Sequence, residues 1–242
     1  MTSPTLGAPG IARPDRIAIF ATQPEERSID VDRDGGNPFA TALVQLLNSQ
    51  QLDLVRLLRD VGPLTRFLSD GVQAPEVVGQ PGKSHLLAGS EAASPRAALV
   101  IGYSDYSRTP APSLTGVARD VRRVSEALGA RGFEVHWLLD PAPKELDRQL
   151  REFARASSKA DIAILYATGH GVQFGRRAYL LPGNQVRVET RISTAKTSIP
   201  ITRLSATLRS RGLNLFLYGA CRDDPFSEAS SVPALPGLPL NR

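Results

Sequence analysis

The sequence predicts an α/β fold, a mostly parallel sheet covered by helices on both faces. Three observations carry that expectation. Short apolar runs (RIAIF, AALVIG, DIAILYA, LNLFLY) alternate along the chain with stretches whose apolar residues recur at helical spacing. The runs are continuously apolar, as strands covered on both faces are, and do not alternate as half-exposed strands do. Each ends in a small or polar turn. A chain of 242 residues has room for one large domain or two small ones.

Taken in order, residues 1–15 are rich in Pro, Gly and Ser and read as a flexible lead. Arg16 to Thr22 is a buried strand. Asn37-Pro38 supplies an N-cap followed by proline at the first helical position, and Phe39, Leu43 and Leu46 then recur on one face, so Pro38 to Asn48 is a helix. Val55 to Leu68 is weakly helical, with a break expected at Gly62-Pro63. Ser84 to Ala88 reads as a short strand closing a first part, 16–89. The small, polar stretch 90–96 reads as a linker, and a second part, 97–226, follows.

Ala97 to Gly102 opens the second part as a buried strand. Val117, Val121, Val124 and Leu128 fall on one face of a helix that closes at Gly129. Phe133 to Leu139 is a strand, and Leu146, Leu150 and Phe153 form the next helical stripe. Asp161 to Ala167 is a strand ending at Thr168-Gly169-His170-Gly171. Ala178 to Pro182 is short and extended, and Leu204 to Leu208 belongs to a helix stopped by Gly212. Leu213 to Tyr218 is a strand ending at Gly219-Ala220-Cys221, and residues 227–242 read as a flexible tail.

Composition narrows the function classes. Apolar residues make up 41% and charged residues 22%, which excludes wholesale disorder. No apolar run is long enough to span a membrane, and MTSPTLGAPGIARPDR lacks the apolar core of a secretory signal, so the expected compartment is the cytosol. The net charge of +5 comes from arginines such as Arg56, Arg119, Arg151 and Arg209, scattered without dense clusters or interleaved aromatics. They read as solvated helix faces, and no nucleic-acid partner is expected. The one cysteine excludes an intrachain disulfide and a cysteine metal cluster. His85, His136 and His170 lie far apart, with no paired-ligand spacing, so no metal and no cofactor are expected. Gly82-Lys83-Ser84 resembles a P-loop ending, but the glycine required five residues earlier is Val77. No GxSxG elbow occurs. Asp223-Asp224, without further clustered carboxylates, reads as a pair of solvated loop charges and not a calcium site.

Chemistry concentrates at two strand ends. In open parallel sheets, ligands bind beyond the carboxyl ends of the strands. His170 and Cys221 each follow a strong strand, about 50 residues apart, with room for one helical crossover between them. If those strands are neighbours, both side chains project over one rim. A thiol beside an imidazole makes a nucleophile: the histidine takes the proton and the thiolate attacks a carbonyl. The N–H groups of Gly171 and Cys221 are candidates for cradling the resulting oxyanion.

These residues carry a resemblance. YATGHG (Tyr166 to Gly171), AYLLP, SIPITRL (Ser198 to Leu204) and GACRDDPF (Gly219 to Phe226) are similar to the large-subunit core of caspase-like cysteine peptidases, a family that includes metacaspases and their bacterial relatives. ALVIGYSDY and LTGVARDVRRVSEAL resemble that family's first strand and helix. Ala220-Cys221-Arg222 fits the caspase signature, whereas Gly219 and Asp223 depart from it. The resemblance implies a three-layer caspase-like fold and an endopeptidase with Cys221 as nucleophile and His170 as base. Its substrate is then a protein or peptide. Family branches differ in pairing through the last strand, so monomer and homodimer both stay open.

The order of parts departs from the family. IAIFATQPEERSIDVDRDGGNPFATALVQLL (Ile17 to Leu47) resembles the small-subunit region, which in the family follows the cysteine strand. Here it comes first, as in a circular permutation whose new termini would fall in the loop between large and small subunits, where family zymogens are commonly cleaved. The family's last strand is antiparallel and lies about four positions, roughly 19 Å, from the first. Eight extended residues reach about 27 Å, so the Gly89–Arg96 segment can close the gap. A truncated tandem of two half-domains is the alternative, and it would leave open sheet edges.

Aspartate-cutting caspases use arginines in the first specificity pocket, and the matching positions here hold Leu114 and Asp30. Metacaspase-like relatives use acidic residues for a P1 arginine or lysine. Their first-helix aspartate matches Asp120, and their other acidic position, two before the cysteine, is Gly219. Asp30 and Asp120 together favour a basic P1 residue. The alternative reading is a catalytically idle caspase-like module used for binding or regulation.

Overall fold

The computed structural model describes residues 16–26, 28–32, 35–49, 53–79 and 94–223. The first part contains β1 (Arg16–Phe20), α1 (Pro38–Leu47), α2 (Leu54–Leu68) and β2 (Glu76–Val78). Next come β3 (Arg96–Gly102), α3 (Val117–Gly129), β4 (Glu134–Leu139), α4 (Pro143–Ser157) and β5 (Ile162–Thr168). The chain continues through β6 (Gly171–Phe174), β7 (Arg177–Leu180), α5 (Arg191–Thr197), β8 (Ile199–Pro200), α6 (Ile201–Ser205) and β9 (Leu213–Tyr218).

The large sheet has the order β2-β1-β9-β5-β3-β4. All its neighbours are parallel except β2, which runs antiparallel to β1. A small antiparallel sheet, β6-β7-β8, stands beside it. Strand β1 is buried along its whole length. Its Ala18 and Phe20 join one core with Leu146, Leu150 and Phe153 of α4 and Ile201 and Leu204 of α6. Its Ile17 and Ile19 join a second core with apolar residues of α1, α2 and α3. Adjacent strand residues thus enter opposite cores, which gives three layers and explains the continuously apolar runs. At about 1.5–3 kcal/mol per fully buried aliphatic or aromatic side chain, these two cores dominate the fold's stability.

The helix signals act as expected. Asn37 Oδ1 accepts the Phe39 N–H at 2.8 Å, and Pro38 occupies the first turn, where no backbone donor is required. Val117, Val121, Val124 and Leu128 are all buried under the sheet.

Three differences have physical reasons. Helix α2 does not break at Gly62-Pro63 but runs through them. Pro63 sits on the exposed side, where a carbonyl without its donor meets solvent, while Leu54, Leu57, Val61 and Thr65 bury the opposite face. Helix α6 ends at Ser205, so Leu208 lies in the turn beyond it. Among the described residues the antiparallel strand at the sheet's edge is β2, which at three residues is too short to show a hydrophobic pattern. Ser84 to Ala88, the lead 1–15 and the tail 227–242 lie outside the described residues, as does most of 90–96. Within that linker Ser94 and Pro95 are already tied to the domain, since Ser94 Oγ donates to Asp161 Oδ2 at 2.9 Å and Asp161 N–H to Pro95 O at 2.8 Å.

Candidate active site

The parallel register of β5 and β9 brings the two reactive side chains together. Ala167 lies opposite Tyr218, so the loops carrying His170 and Cys221 leave the same edge of the sheet. Gly219 N–H donates to Ala167 O at 2.8 Å and keeps the two exits side by side. Strand β1 flanks β9 on its other side, and Ala21 N–H donates to Tyr218 O at 2.8 Å. The loop after β1 therefore opens over the same rim. A small cavity of about 50 Å³ is lined there by Cys221, His170, Asp30, Asp120, Ser28 and neighbouring residues. Four of the five site residues expected from sequence thus meet in one cavity.

Cys221 is half-buried. Ser28 N–H donates to its Sγ at 3.2 Å, and Ser28 Oγ lies at the same distance. His170 is held from two sides. Its Nε2 lies 2.8 Å from Pro112 O, and because a carbonyl can only accept, Nε2 carries the proton and Nδ1 is the basic nitrogen. Its backbone N–H donates to Tyr106 Oη at 2.9 Å, and that hydroxyl donates onward to Leu181 O at 2.8 Å. The Tyr106 ring also meets the imidazole edge to face, with centroids 4.6 Å apart. One tyrosine thus bridges the mouth of the β6-β7 hairpin and fixes the histidine beside it.

Gly171 does not line the cavity. It packs against the loop that carries Cys221, and a Cβ there would stand 2.4 Å from Cys221 O and 2.3 Å from Tyr218 Oη. Only glycine fits that approach. Gly219 is constrained similarly: a Cβ would lie 2.9 Å from Tyr166 Oη and 3.2 Å from Thr168 Oγ1. Tyr166 and Thr168 fill the space that a side chain at position 219 would need.

The acidic wall comes from both parts of the chain. Asp30 Oδ2 accepts Thr115 N–H at 2.9 Å and Gly116 N–H at 3.4 Å. Burial raises its pKa above the ordinary 3.8, opposed by the Gly116 and Thr115 bonds and by the charge of His170. Asp120, 1% exposed on the first turn of α3, accepts Asn37 N–H on both oxygens at 3.2 and 3.0 Å. Burial pushes its pKa up to about 8, the Asn37 bond and Arg123 pull it down, and the charges of Asp30 and Asp32 add to the rise. Leu114 and Val117 supply an apolar flank.

Arg222, next to the cysteine, is fully buried. It pairs with Glu76 of β2, donates from Nε to Gln173 Oε1 at 2.9 Å, and lies 4.2 Å from the centroid of the Phe20 ring. Its backbone N–H and C=O bond Glu26 O and Glu25 N, so the cysteine loop is clamped to the first part of the chain. Ser28, Tyr106, Pro112 and Arg222 were not singled out from sequence. The first three act at the cysteine and histidine through tertiary contacts, and Arg222 enters the sequence reading only as part of the Ala220-Cys221-Arg222 match to the caspase signature. Among the described residues, no group of three or more His, Cys, Asp or Glu side chains is placed to hold a metal ion, and no helix is long and apolar enough to cross a membrane.

The caspase domain model matches residues 95–236, more than half of the chain, and spans β3 through β9 with both His170 and Cys221. No curated protein matches the chain significantly. Residues 16–79 lie outside the matched span, yet they supply β1, β2, Ser28 and Asp30. The match joins a mostly parallel three-layer architecture and the strand-end residues described above: the chain belongs to the caspase domain family of cysteine peptidases.

Proposed function

We propose that the chain is an endopeptidase that cuts after arginine or lysine, with Cys221 as nucleophile and His170 as general base. The observation that carries this reading is the shared cavity in which a thiol, an imidazole and two carboxylates converge from three loops and the first turn of α3. The thiol proton passes to His170 Nδ1 as sulfur attacks the scissile carbonyl and a C–S bond forms. The oxyanion is received by backbone N–H groups, for which Gly171 and Cys221 are the candidates. Collapse breaks the C–N bond, and the imidazolium protonates the departing amine. Water then gives a proton to the imidazole, attacks the thioester and releases the thiolate. The carbonyl of Pro112 supports this sequence by fixing the tautomer in which Nδ1 accepts the proton.

Asp30 and Asp120 favour a cationic P1 side chain, whose charge offsets the burial that raises both pKa values, and they offer an acidic one no counter-charge. The swapped order of parts reads as a circular permutation. It is supported by the place of β1, which pairs with β9 through partners such as Ala18 and Phe216 although the family's small-subunit region ordinarily follows the cysteine strand. The intact chain already lines the pocket with both parts, so it is expected to work without cleavage. Fluorogenic peptides with Arg, Lys or Asp at P1 test the reading. Turnover of the Arg and Lys peptides that disappears in Cys221→Ala supports it. Turnover surviving that substitution, or a preference for Asp, overturns it.

A further inference from the structure

Away from the cavity, the β6-β7 hairpin and α5 enclose an open groove of about 530 Å³. Its composition is unusual for a solvated surface. Four cations line it (Arg176, Arg177, Arg191 and Lys196), and among the described residues no acid does. Arg176, Arg177 and Lys196 have no carboxylate partner among the described residues. Between them the floor is apolar: Phe174 packs on Tyr179 with ring centroids 5.8 Å apart, and Ile192 leaves 69% of its surface in water. Arg176 and Arg177, adjacent at the hairpin turn, come together here with Arg191 and Lys196 of α5.

Like charges held close together repel, and an exposed isoleucine among them gains nothing in the isolated chain. Both costs are relieved by one kind of occupant, an extended segment that brings carboxylates and an apolar side chain together. A free phosphate is far too small for the volume and leaves Ile192 exposed. Nucleic acid is disfavoured because the most exposed apolar group, Ile192, is aliphatic, while of the two aromatic rings Tyr179 is only 8% exposed and Phe174 is partly buried against it.

We propose that this groove docks an acidic peptide segment of a partner protein, with carboxylates on the guanidinium and ammonium groups and a leucine- or phenylalanine-like side chain against Ile192 and Phe174. The site is independent of the peptidase reading, and its test does not depend on turnover. A fluorescein-labelled Glu-Glu-Leu-Phe-Glu-Glu peptide is titrated by anisotropy against the full chain, its Arg176→Glu/Arg177→Glu variant and its Ile192→Ser variant.

The expected result is saturable binding that weakens with added salt, roughly tenfold loss on charge reversal and a severalfold loss in Ile192→Ser, with the melting temperature unchanged. Failure of the wild-type chain to bind at up to about 1 mM peptide overturns the proposal. So does equal binding by a polyglutamate peptide without Leu and Phe, or tighter binding of a single-stranded oligonucleotide. A peptide copying residues 223–233 that competes better than the probe assigns the groove to the chain's own tail. A dimer that dissociates on charge reversal assigns it to a second copy. Either result also overturns the proposal.

Discussion

The backbone N–H of Ser28 donates to Cys221 Sγ across 3.2 Å, joining residues 193 positions apart. The Ser28 hydroxyl reaches the same sulfur. An N–H donor on a sulfur favours the thiolate, and this one is in place only while the loop after β1 keeps its position. The first part of the chain therefore contributes to the surroundings of Cys221, beyond completing the sheet.

Ser28→Ala keeps the N–H and removes the hydroxyl. One neutral hydrogen bond is worth about 0.5–1.5 kcal/mol, so alkylation of Cys221 by iodoacetamide at neutral pH is expected to slow roughly twofold to tenfold. Ser28→Thr is expected to retain the wild-type rate. An unchanged rate in Ser28→Ala would show that the hydroxyl is a bystander.

Asp120 couples the pocket to pH. Its carboxyl titrates at about 8 in the folded chain, against an ordinary 3.8, with burial as the main cause. Between those values the native state holds a proton that the unfolded state has lost, so this residue's contribution to stability falls as pH rises from about 4 to about 8. Asp120→Asn removes that dependence, and its melting temperature is expected to exceed the wild type's by a margin that widens across the window. The same substitution is expected to raise KM for arginine peptides and to flatten the wild type's climb in kcat/KM toward pH 8, since a guanidinium binds the ionised form. Thermal melts and pH profiles check both; a variant less stable than wild type at pH 8 would contradict the assignment.

Tyr106→Phe keeps the ring against His170 but deletes the hydroxyl that bridges His170 N–H and Leu181 O. Leaving a buried donor or acceptor unpaired costs about 1–3 kcal/mol, and the variant is expected to lose stability on that scale in urea. As Tyr106 positions the histidine without lining the pocket, kcat is expected to fall while KM for a peptide substrate stays near wild type. A change confined to KM would assign Tyr106 to substrate binding.

Arg222 and Glu76 form a buried ion pair with the Phe20 ring beneath it. Glu76→Gln strands the guanidinium charge and is expected to cost about 3–5 kcal/mol, whereas Glu76→Leu combined with Arg222→Met is expected to recover much of that loss. Equilibrium urea unfolding of the single and double variants measures the difference. A double variant no better than the single one would mean that the pair's other bonds, to Gln173 and Thr22, carry the loop.

Much of this architecture is legible in the chain because its strands are buried on both faces. RIAIF, AALVIG, DIAILYA and LNLFLY need no partner information to be recognised, and the glycine-bracketed His170 and the lone Cys221 follow two of them. Asp30 and Asp120 were reached through the family resemblance, and the structure puts both in the same cavity. What stayed hidden depends on tertiary contact. Strand β2 is three residues long and is held by pairing and by the Glu76–Arg222 contact, not by an apolar pattern. Pro63 is compatible with a helix only because it faces solvent, a fact about packing and not about proline. Ser28, Tyr106 and Pro112 act through a backbone N–H, a hydroxyl and a carbonyl placed by loops, and no spacing rule marks such groups.

The most direct test of the central assignment is mass spectrometry of the intact protein after incubation with a peptidyl-arginine acyloxymethyl ketone. Cys221 is the sole cysteine, so the site of a thioether is unambiguous. The expected result is one adduct per chain, mapped to Cys221, suppressed in His170→Ala and absent with the matching peptidyl-aspartate reagent. An unmodified Cys221 in protein that cleaves arginine peptides, or labelling that is indifferent to His170, would contradict it.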